Sequence, residues 1–361
     1  MMTTAKQTFT PQIGAEQIDL LKRLSEAVAV SGDEGEVRKI VRAELAGVAD
    51  EMKTDAMGNL LVVRHARVEN PLRVMVDAHM DEVGFMLVED EEGGWFKFET
   101  VGGVDPRQLV GKPVWVGKNH LPGVIGARPI HMTTAEERAN AIPLDALRID
   151  LGPENAKKVK PGDRATYATR FKQVGPSLFG KALDDRLGVA TVIELVKNPP
   201  ENIELLASFS VQEELGLRGA RVAAYALNPD VAFALDSTPA NDLPVWDGSE
   251  NTRYNTRLGA GPAIYLTDAG TLSDPRLIRL IRETGDELQI PYQNRQPGGG
   301  GTNAGAIHLR RAGIPTVSIS TPGRYAHTAV LVSRLDDWQH TLSLVYHSLA
   351  RLDRAVLAQP R

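Results

Sequence analysis

Five short segments of the sequence place carboxylate or imidazole side chains where an enzyme could use them. In residues 74–81 an apolar run leads to His79, and Asp81 follows two positions later. A metal-bound imidazole usually donates its second ring N–H to an acceptor that fixes its orientation, and Asp81 is close enough in sequence to be that acceptor. One histidine after a strand is more often structural, so this segment alone does not establish a metal site.

Two further segments carry adjacent acids. Asp184 and Asp185 stand beside Arg186, which taken alone indicates a helix N-cap with a surface salt bridge. Glu213 and Glu214 end an apolar run, where buried charge is costly unless it is paired or bound to a metal. Two neighbouring acids on an extended backbone point apart, so this pair suits one metal ligand and one base.

The last two segments again follow apolar runs. Asp236 comes directly after residues 231–235, and His327 lies in the loop that follows a run ending near Ser320. Two metal ions about 3.5–4 Å apart need a bridging carboxylate, terminal ligands and a shared water with a nearby base. Taken together, the five segments supply this set. They predict a dinuclear hydrolytic site, and ligation by imidazole and carboxylate suits Zn²⁺, Co²⁺ or Mn²⁺.

Helices and strands must bring these distant segments together. Apolar residues at three- and four-residue steps predict a helix from Ile18 and a second helix with Ser31 or Asp33 as its N-cap. Helices and strands alternate along the chain, which predicts an α/β fold with a mostly parallel sheet flanked by helices. The carboxyl ends of the parallel strands would hold the site. Short strands are predicted at residues 59–63 and 72–76, a buried helix at residues 187–196, and buried strands at residues 203–211, 231–235 and 314–319.

Residues 84–172 differ from the rest of the chain. They contain short alternating strands with frequent glycine and proline, which predicts an inserted small β-barrel-like domain. Residues 1–83 and 173–361 would then form the catalytic domain. Because the inserted stretch has no acid cluster of its own, its simplest role is oligomerisation.

Bulk composition limits the classes of function. The charged fraction of 24% and the net charge of −5 over 361 residues are ordinary, which argues against nucleic acid as a partner. The chain has no cysteine, so any metal must be bound by histidine and carboxylate. No apolar run approaches the roughly 18 residues of a membrane span, and the N-terminus lacks a signal-like apolar core. The expected location is therefore the cytoplasm, without a membrane partner.

In order and context the five segments resemble the glutamyl aminopeptidase and tetrahedral (TET) aminopeptidase family of dinuclear metallopeptidases, some of whose members are labelled endoglucanases. The resemblance covers nearly the whole chain. It implies a zinc-exopeptidase-like fold, aminopeptidase activity on short peptides, two divalent metal ions per subunit, and a homo-oligomer that can be dodecameric. Further matching stretches lie at residues 30–32, 36–38, 55–60, 122–126 and 129–131.

The resemblance also assigns a role to seven side chains. Glu213 matches the general base of the family, and Asp81 matches the partner that orients a metal-binding histidine. A cis peptide bond between Asp184 and Asp185 is implied as well. Five side chains would bind the two ions: Asp184 bridging both, His79 and Asp236 on one, and Glu214 and His327 on the other.

Two departures from the family pattern stand out. The family stretch Gly-Gly-Thr-Asp-Ala corresponds to residues 300–304, where Asn303 replaces the aspartate. This loss of a negative charge puts substrate preference in doubt. Residues 328–330 replace the commoner Ser-Pro after the histidine, which we expect to change local packing rather than ligation.

Three alternative functions stay open from sequence. A glycosidase of the endoglucanase type also uses paired carboxylates, but it has no use for two histidines. A metal-dependent deacylase or carboxypeptidase built on the same core would remove a different group or work from the other end. A protein with a purely structural or binding role would have to bury several charges at strand ends without a metal.

Overall fold

A computed structural model describes residues 9–245, 247–249, 256–295 and 300–361 of the chain. None of the helices in these ranges is both long and apolar enough to cross a membrane. In chain order the helices are α1 (Ala15–Glu26), α2 (Gly35–Leu45), α3 (Ala135–Ala139), α4 (Gly152–Ala156), α5 (Leu183–Lys197), α6 (Arg218–Leu227), α7 (Pro275–Leu288), α8 (Ala304–Ile307), α9 (Leu335–Arg351) and α10 (Arg354–Ala358). The strands are β1 (Glu51–Thr54), β2 (Leu60–Arg64), β3 (Leu72–His79), β4 (Gly84–Asp90), β5 (Trp95–Val101), β6 (Pro113–Val116), β7 (Leu121–Gly126), β8 (Arg148–Asp150), β9 (Arg164–Tyr167), β10 (Lys172–Val174), β11 (Ser177–Gly180), β12 (Ile203–Ser210), β13 (Val231–Pro239), β14 (Ala263–Tyr265), β15 (Gln293–Arg295), β16 (Thr316–Gly323) and β17 (Leu331–Arg334).

The main sheet has eight strands in the order β1-β2-β12-β3-β13-β16-β14-β15. The four central strands, β12, β3, β13 and β16, are parallel to one another. Their near-continuous apolar runs are typical of strands that are covered on both faces. One face packs against α1, α2, α5, α7 and α9, and the other against α6 and α8. The predicted α/β fold with a mostly parallel sheet is therefore confirmed.

Helix α5 lies against the middle of the sheet and begins inside the candidate site. Every residue from Asp185 to Val196 is buried, which explains why this helix is apolar nearly all round. Its first turn is irregular, because Asp184 (φ −82°, ψ 106°) and Asp185 (φ −117°, ψ 48°) are not helical. The peptide bond between them is cis, as the resemblance implies. These acids break the apolar pattern, so sequence places the start of the helix four residues too late.

Strands β4 to β9 close into a barrel in the order β4-β5-β8-β7-β6-β9. The barrel has a hydrophobic core of its own. At its centre Phe85 contacts Phe98 and Tyr167 edge to face, with 5.3 Å between ring centroids in each pair. The inserted β-barrel-like module is thus present. The division of the chain after residues 83 and 172 stays a prediction.

The N-cap prediction for α2 was wrong. Glu34 precedes the helix and makes no side-chain capping hydrogen bond. The Ser31 hydroxyl instead donates a hydrogen bond of 2.6 Å to Oδ2 of Asp81. Ser31 therefore links the segment before α2 to the turn after β3 and does not cap the helix.

Candidate active site

The sheet brings all seven predicted side chains to one edge. Strands β3, β12 and β13 are parallel neighbours, so their carboxyl ends meet there, as they do in open α/β sheets generally. The positions differ in their elements: His79 ends β3 and Asp81 follows it, Glu213 and Glu214 come after β12, Asp236 lies within β13, Asp184 is in the first turn of α5, and His327 lies between β16 and β17.

Asp184 lies between the two histidines. Its Oδ1 is 3.3 Å from Nε2 of His79, and its Oδ2 is 3.6 Å from Nε2 of His327. On one side, Oδ1 of Asp236 is 3.6 Å from Nε2 of His79. On the other, Oε2 of Glu214 is 3.3 Å from Nε2 of His327. The five side chains therefore form two sets that share one carboxylate.

The donor atoms of this cluster fit divalent metal ions. Oδ1 of Asp184 and Oδ2 of Asp185 are buried and have no hydrogen-bond partner within the described residues. A buried carboxylate oxygen without a donor is costly unless a cation or proton satisfies it. Imidazole nitrogen with carboxylate oxygen is the ligand combination that suits Zn²⁺ and similar ions. Candidate ligand atoms lie within 4.8 Å of one another in three groups: His79, Asp185 and Asp236; His79, Glu213 and Glu214; and Asp184, Glu214 and His327.

Asp81 supports both the histidine and the glutamates. The backbone carbonyl of Asp81 lies 3.1 Å from Nδ1 of His79, nearer than its carboxylate, which is 3.5 Å away. The carboxylate accepts hydrogen bonds from the backbone N–H groups of Glu213 at 3.0 Å and Glu214 at 3.2 Å, and from the Ser31 hydroxyl. One acid thus orients a ring and fixes the backbone of the neighbouring strand end.

The two adjacent glutamates do not point apart as the sequence predicts. Strand β12 ends at Ser210, and Gln212 has a φ of +54°, so the chain turns before it reaches Glu213. In this turn the carboxylates of Glu213 and Glu214 come within 4.8 Å of each other and of His79. The prediction failed because side chains alternate between opposite faces only within an extended strand.

Arg186 is buried and does not form the predicted surface salt bridge. Its guanidinium donates to the backbone carbonyl of Met80 and lies 3.5 Å from Oε1 of Glu82. Lys181, which is also buried, donates from Nζ to both carboxylate oxygens of Glu82 at 2.8 and 2.9 Å. Burial lowers the pKa of Lys181, and Glu82 opposes that shift. This buried charge cluster lies directly behind the turn that carries Asp81.

Burial and close charged neighbours shift the pKa values of the carboxyl groups in the site. Burial, followed by repulsion from Asp184, raises the pKa of Glu214 well above its usual value. Burial raises the pKa of Asp236 to about 6. Burial also acts to raise the pKa of Asp184, but the adjacent His79 lowers it to about 2. Cations held between these carboxylates would favour the ionised form of each one and offset their mutual repulsion.

Asn303 supports the site from behind. Its side chain is buried, and Nδ2 donates to Oδ2 of Asp77 at 2.7 Å and to Oγ of Ser210 at 2.9 Å. An aspartate at this position would set a second carboxylate against Asp77, whereas the amide supplies a donor. The departure from the family pattern therefore acts on buried groups beneath the strand ends.

Sequence reasoning missed three contributions to the site. Asp185 joins one group of candidate ligands, and its place next to Asp184 was the available signal. Ser31 lies in the matching stretch 30–32, but nothing in that stretch points to its partner, which lies 50 residues away. Nδ1 of His327 lies 2.9 Å from the backbone carbonyl of Gly103 in the barrel, and a backbone carbonyl has no residue type that could reveal it.

The sequence is similar to curated aminopeptidases over nearly its full length. The profile of M42 glutamyl aminopeptidases matches residues 58–344. The glutamyl aminopeptidase of Lactococcus lactis subsp. cremoris is 31% identical over 359 residues, which cover 95% of this chain and 99% of that protein. The lysyl aminopeptidase of Pyrococcus furiosus is 31% identical over 346 residues, covering 92% and 97% of the two chains.

Solved structures are similar in the same way. A TET aminopeptidase from a marine sediment archaeon of the Thaumarchaeota superposes with a TM-score of 0.89 at 32% identity, covering 95% of this chain and 98% of that one. The TET1 peptidase of Pyrococcus horikoshii, described as assembling into a tetrahedron or a large octahedral shell, gives 0.81 at 32% identity over 93% and 100%. A Thermotoga maritima structure named as an endoglucanase gives 0.74 at 32% identity over 92% and 98%.

Proposed function

The chain belongs to the M42 glutamyl aminopeptidase family, and we propose from this premise that it uses two divalent metal ions to remove N-terminal residues from short peptides. The observation that carries the proposal is the position of Asp184, whose two oxygens face two different imidazoles at 3.3 and 3.6 Å. A carboxylate with its two oxygens facing different rings is placed as a carboxylate shared between two ions would be. Zn²⁺ is the proposed metal, with Co²⁺ and Mn²⁺ as alternatives that suit the same ligands.

In this proposal the five clustered side chains bind the ions and Glu213 moves the proton. Two divalent ions would lower the pKa of a shared water and polarise the scissile carbonyl. Glu213 would accept the proton of the attacking water and return it to the leaving amine. The hydrogen bond of 3.0 Å from its backbone N–H to Asp81 holds it at the rim of the cluster. The ligands would be Asp184 on both ions, His79 and Asp236 on one, and Glu214 and His327 on the other.

We further propose that the protein is a homo-oligomer. The support is its similarity to the TET1 peptidase, which is described as assembling into a tetrahedron or a large octahedral shell. Sedimentation at micromolar concentration should therefore give a species much larger than one 39.2 kDa chain. A monomer would remove this part of the proposal and leave the chemistry of the site unchanged.

The class of reaction can be tested with three substrates and a chelator. We expect hydrolysis of aminoacyl anilides with a free α-amino group, loss of activity after chelation, and recovery with Zn²⁺, Co²⁺ or Mn²⁺. Preference for the N-acetylated anilides would indicate a deacylase instead. Hydrolysis of cello-oligosaccharides that survives chelation would favour a glycosidase, the function named for the Thermotoga maritima structure.

A further inference from the structure

We infer that the barrel is part of the proposed metal site, and that its Gly102–Gly103 turn positions His327 for metal binding. The inference rests on the proposed metal-dependent function and adds a role for the barrel beyond oligomerisation. The turn follows β5 directly, so it belongs to the barrel, while His327 belongs to the catalytic sheet.

His327 has little else to hold its ring in place. Its side chain is 41% exposed, and it sits in a loop with a φ of +58°. Within the described residues, the one hydrogen bond recorded for the ring joins Nδ1 to the Gly103 carbonyl at 2.9 Å. When Nδ1 carries the proton and donates it there, Nε2 is left with a free lone pair. That Nε2 is the atom that faces Glu214 and Asp184.

The turn approaches the site this closely because both of its residues are glycines. A Cβ atom on Gly103 would lie 3.2 Å from Nδ1 of His327, closer than ordinary contact. A Cβ atom on Gly102, whose φ is +86°, would lie 2.9 Å from Cγ1 of Val83 and 3.2 Å from Cβ of Glu214. The turn therefore lies against His327 and Glu214, the two side chains proposed to bind the same ion.

The barrel is anchored next to the same site. The Thr166 hydroxyl of β9 donates to Oε2 of Glu82 at 2.8 Å, and both residues are buried. Glu82 also accepts from Lys181 and from the backbone N–H of Ala29 at 3.0 Å. Since Glu82 directly follows Asp81, the barrel is fixed relative to the backbone that orients His79. A barrel held in this way can place the Gly103 carbonyl accurately.

The test is a titration of the apo protein with Co²⁺, in which binding is measured by calorimetry and by the visible absorption of bound Co²⁺. Gly103→Ala should weaken one of the two binding steps about 10- to 100-fold, since contacts that orient a metal ligand typically have effects of this size. The other step and the melting temperature of the apo protein should not change. The backbone of Gly103 is outside the left-handed region, so alanine adds only its Cβ. Gly126→Ala is the matched control in the barrel, because a Cβ there meets nothing within 4 Å.

Thr166→Val tests the anchor separately. It should weaken the same binding step by a smaller factor, whereas Thr284→Val, which removes a buried hydroxyl bonded within α7, should leave both steps unchanged. Two unaltered steps in Gly103→Ala would overturn the inference. Equal weakening of both steps with a lower melting temperature would also overturn it, because that pattern means general destabilisation. If the wild-type protein binds no Co²⁺, the proposed function itself fails, which is a different result.

Discussion

The two histidines of the site are held in opposite ways. His79 ends a central strand, is 1% exposed, and is oriented by Asp81, which Ser31 and the turn after β12 hold in place. His327 lies in a loop, is 41% exposed, and is oriented by the Gly103 carbonyl of a separate module. One half of the site is therefore built by the sheet itself, and the other half depends on how the barrel sits against the sheet.

The strongest test of the comparison removes the group that the two halves share. Asp184→Asn keeps the shape of the side chain but cannot bridge two cations as a carboxylate does. We expect both of the proposed ions to be lost and activity to fall by at least about 10⁴-fold, since each would contribute several kcal/mol to the transition state. Elemental analysis and kcat measure this. One ion retained at full occupancy would mean that the halves bind metal independently.

Substitutions of the two adjacent glutamates should distinguish metal binding from proton transfer. Glu213→Gln should retain both ions and lower kcat by about 10²- to 10⁴-fold, because it removes the proton acceptor. Glu214→Gln should lose the ion on the His327 side and keep the other. Elemental analysis and kcat are measured for both variants. Normal turnover by Glu213→Gln would remove the base assignment.

The two histidines should differ in what they contribute to stability without metal. His79→Ala in chelated protein leaves several buried carboxylates without their cationic or donor partner, which we expect to lower the free energy of unfolding by about 3 kcal/mol. His327→Ala truncates a partly exposed ring, and the loss should be less than about 1 kcal/mol. Urea unfolding of both variants gives the comparison. Equal losses would contradict the distinction between a buried half and an exposed half.

A smaller effect on metal binding should come from Ser31, which supports the sheet-built half as Gly103 supports the other. Ser31→Ala removes the hydroxyl donor to Asp81 and should weaken one Co²⁺ binding step about tenfold. This step should be the one that Gly103→Ala leaves unchanged. Ser343→Ala, which removes a hydroxyl bonded to Gln339 within α9, serves as the control. If Ser31→Ala and Gly103→Ala weaken the same step, the two supports are not separate.

The sequence predicts the sheet and the candidate ligands because both have local signals. Apolar runs mark the central strands, and acids or histidines at their ends mark the edge where the strands meet. Strand β3 continues to His79, three residues past its predicted end, since the buried Asp77 interrupts the apolar pattern. The prediction failed where long-range partners decide the environment: Arg186 is buried because Glu82, 104 residues away in sequence, lies beside it.

The salt bridge between Glu82 and Lys181 has a consequence for protein engineering. These residues are 99 positions apart, and the chain enters the barrel at Gly84, just after Glu82, and leaves it at Tyr167, before it reaches Lys181. The salt bridge thus joins the two chain segments that connect the barrel to the rest of the protein. Grafting a different module between these two residues would leave both charges on the scaffold, and it would require a donor whose two ends match the spacing between the attachment points.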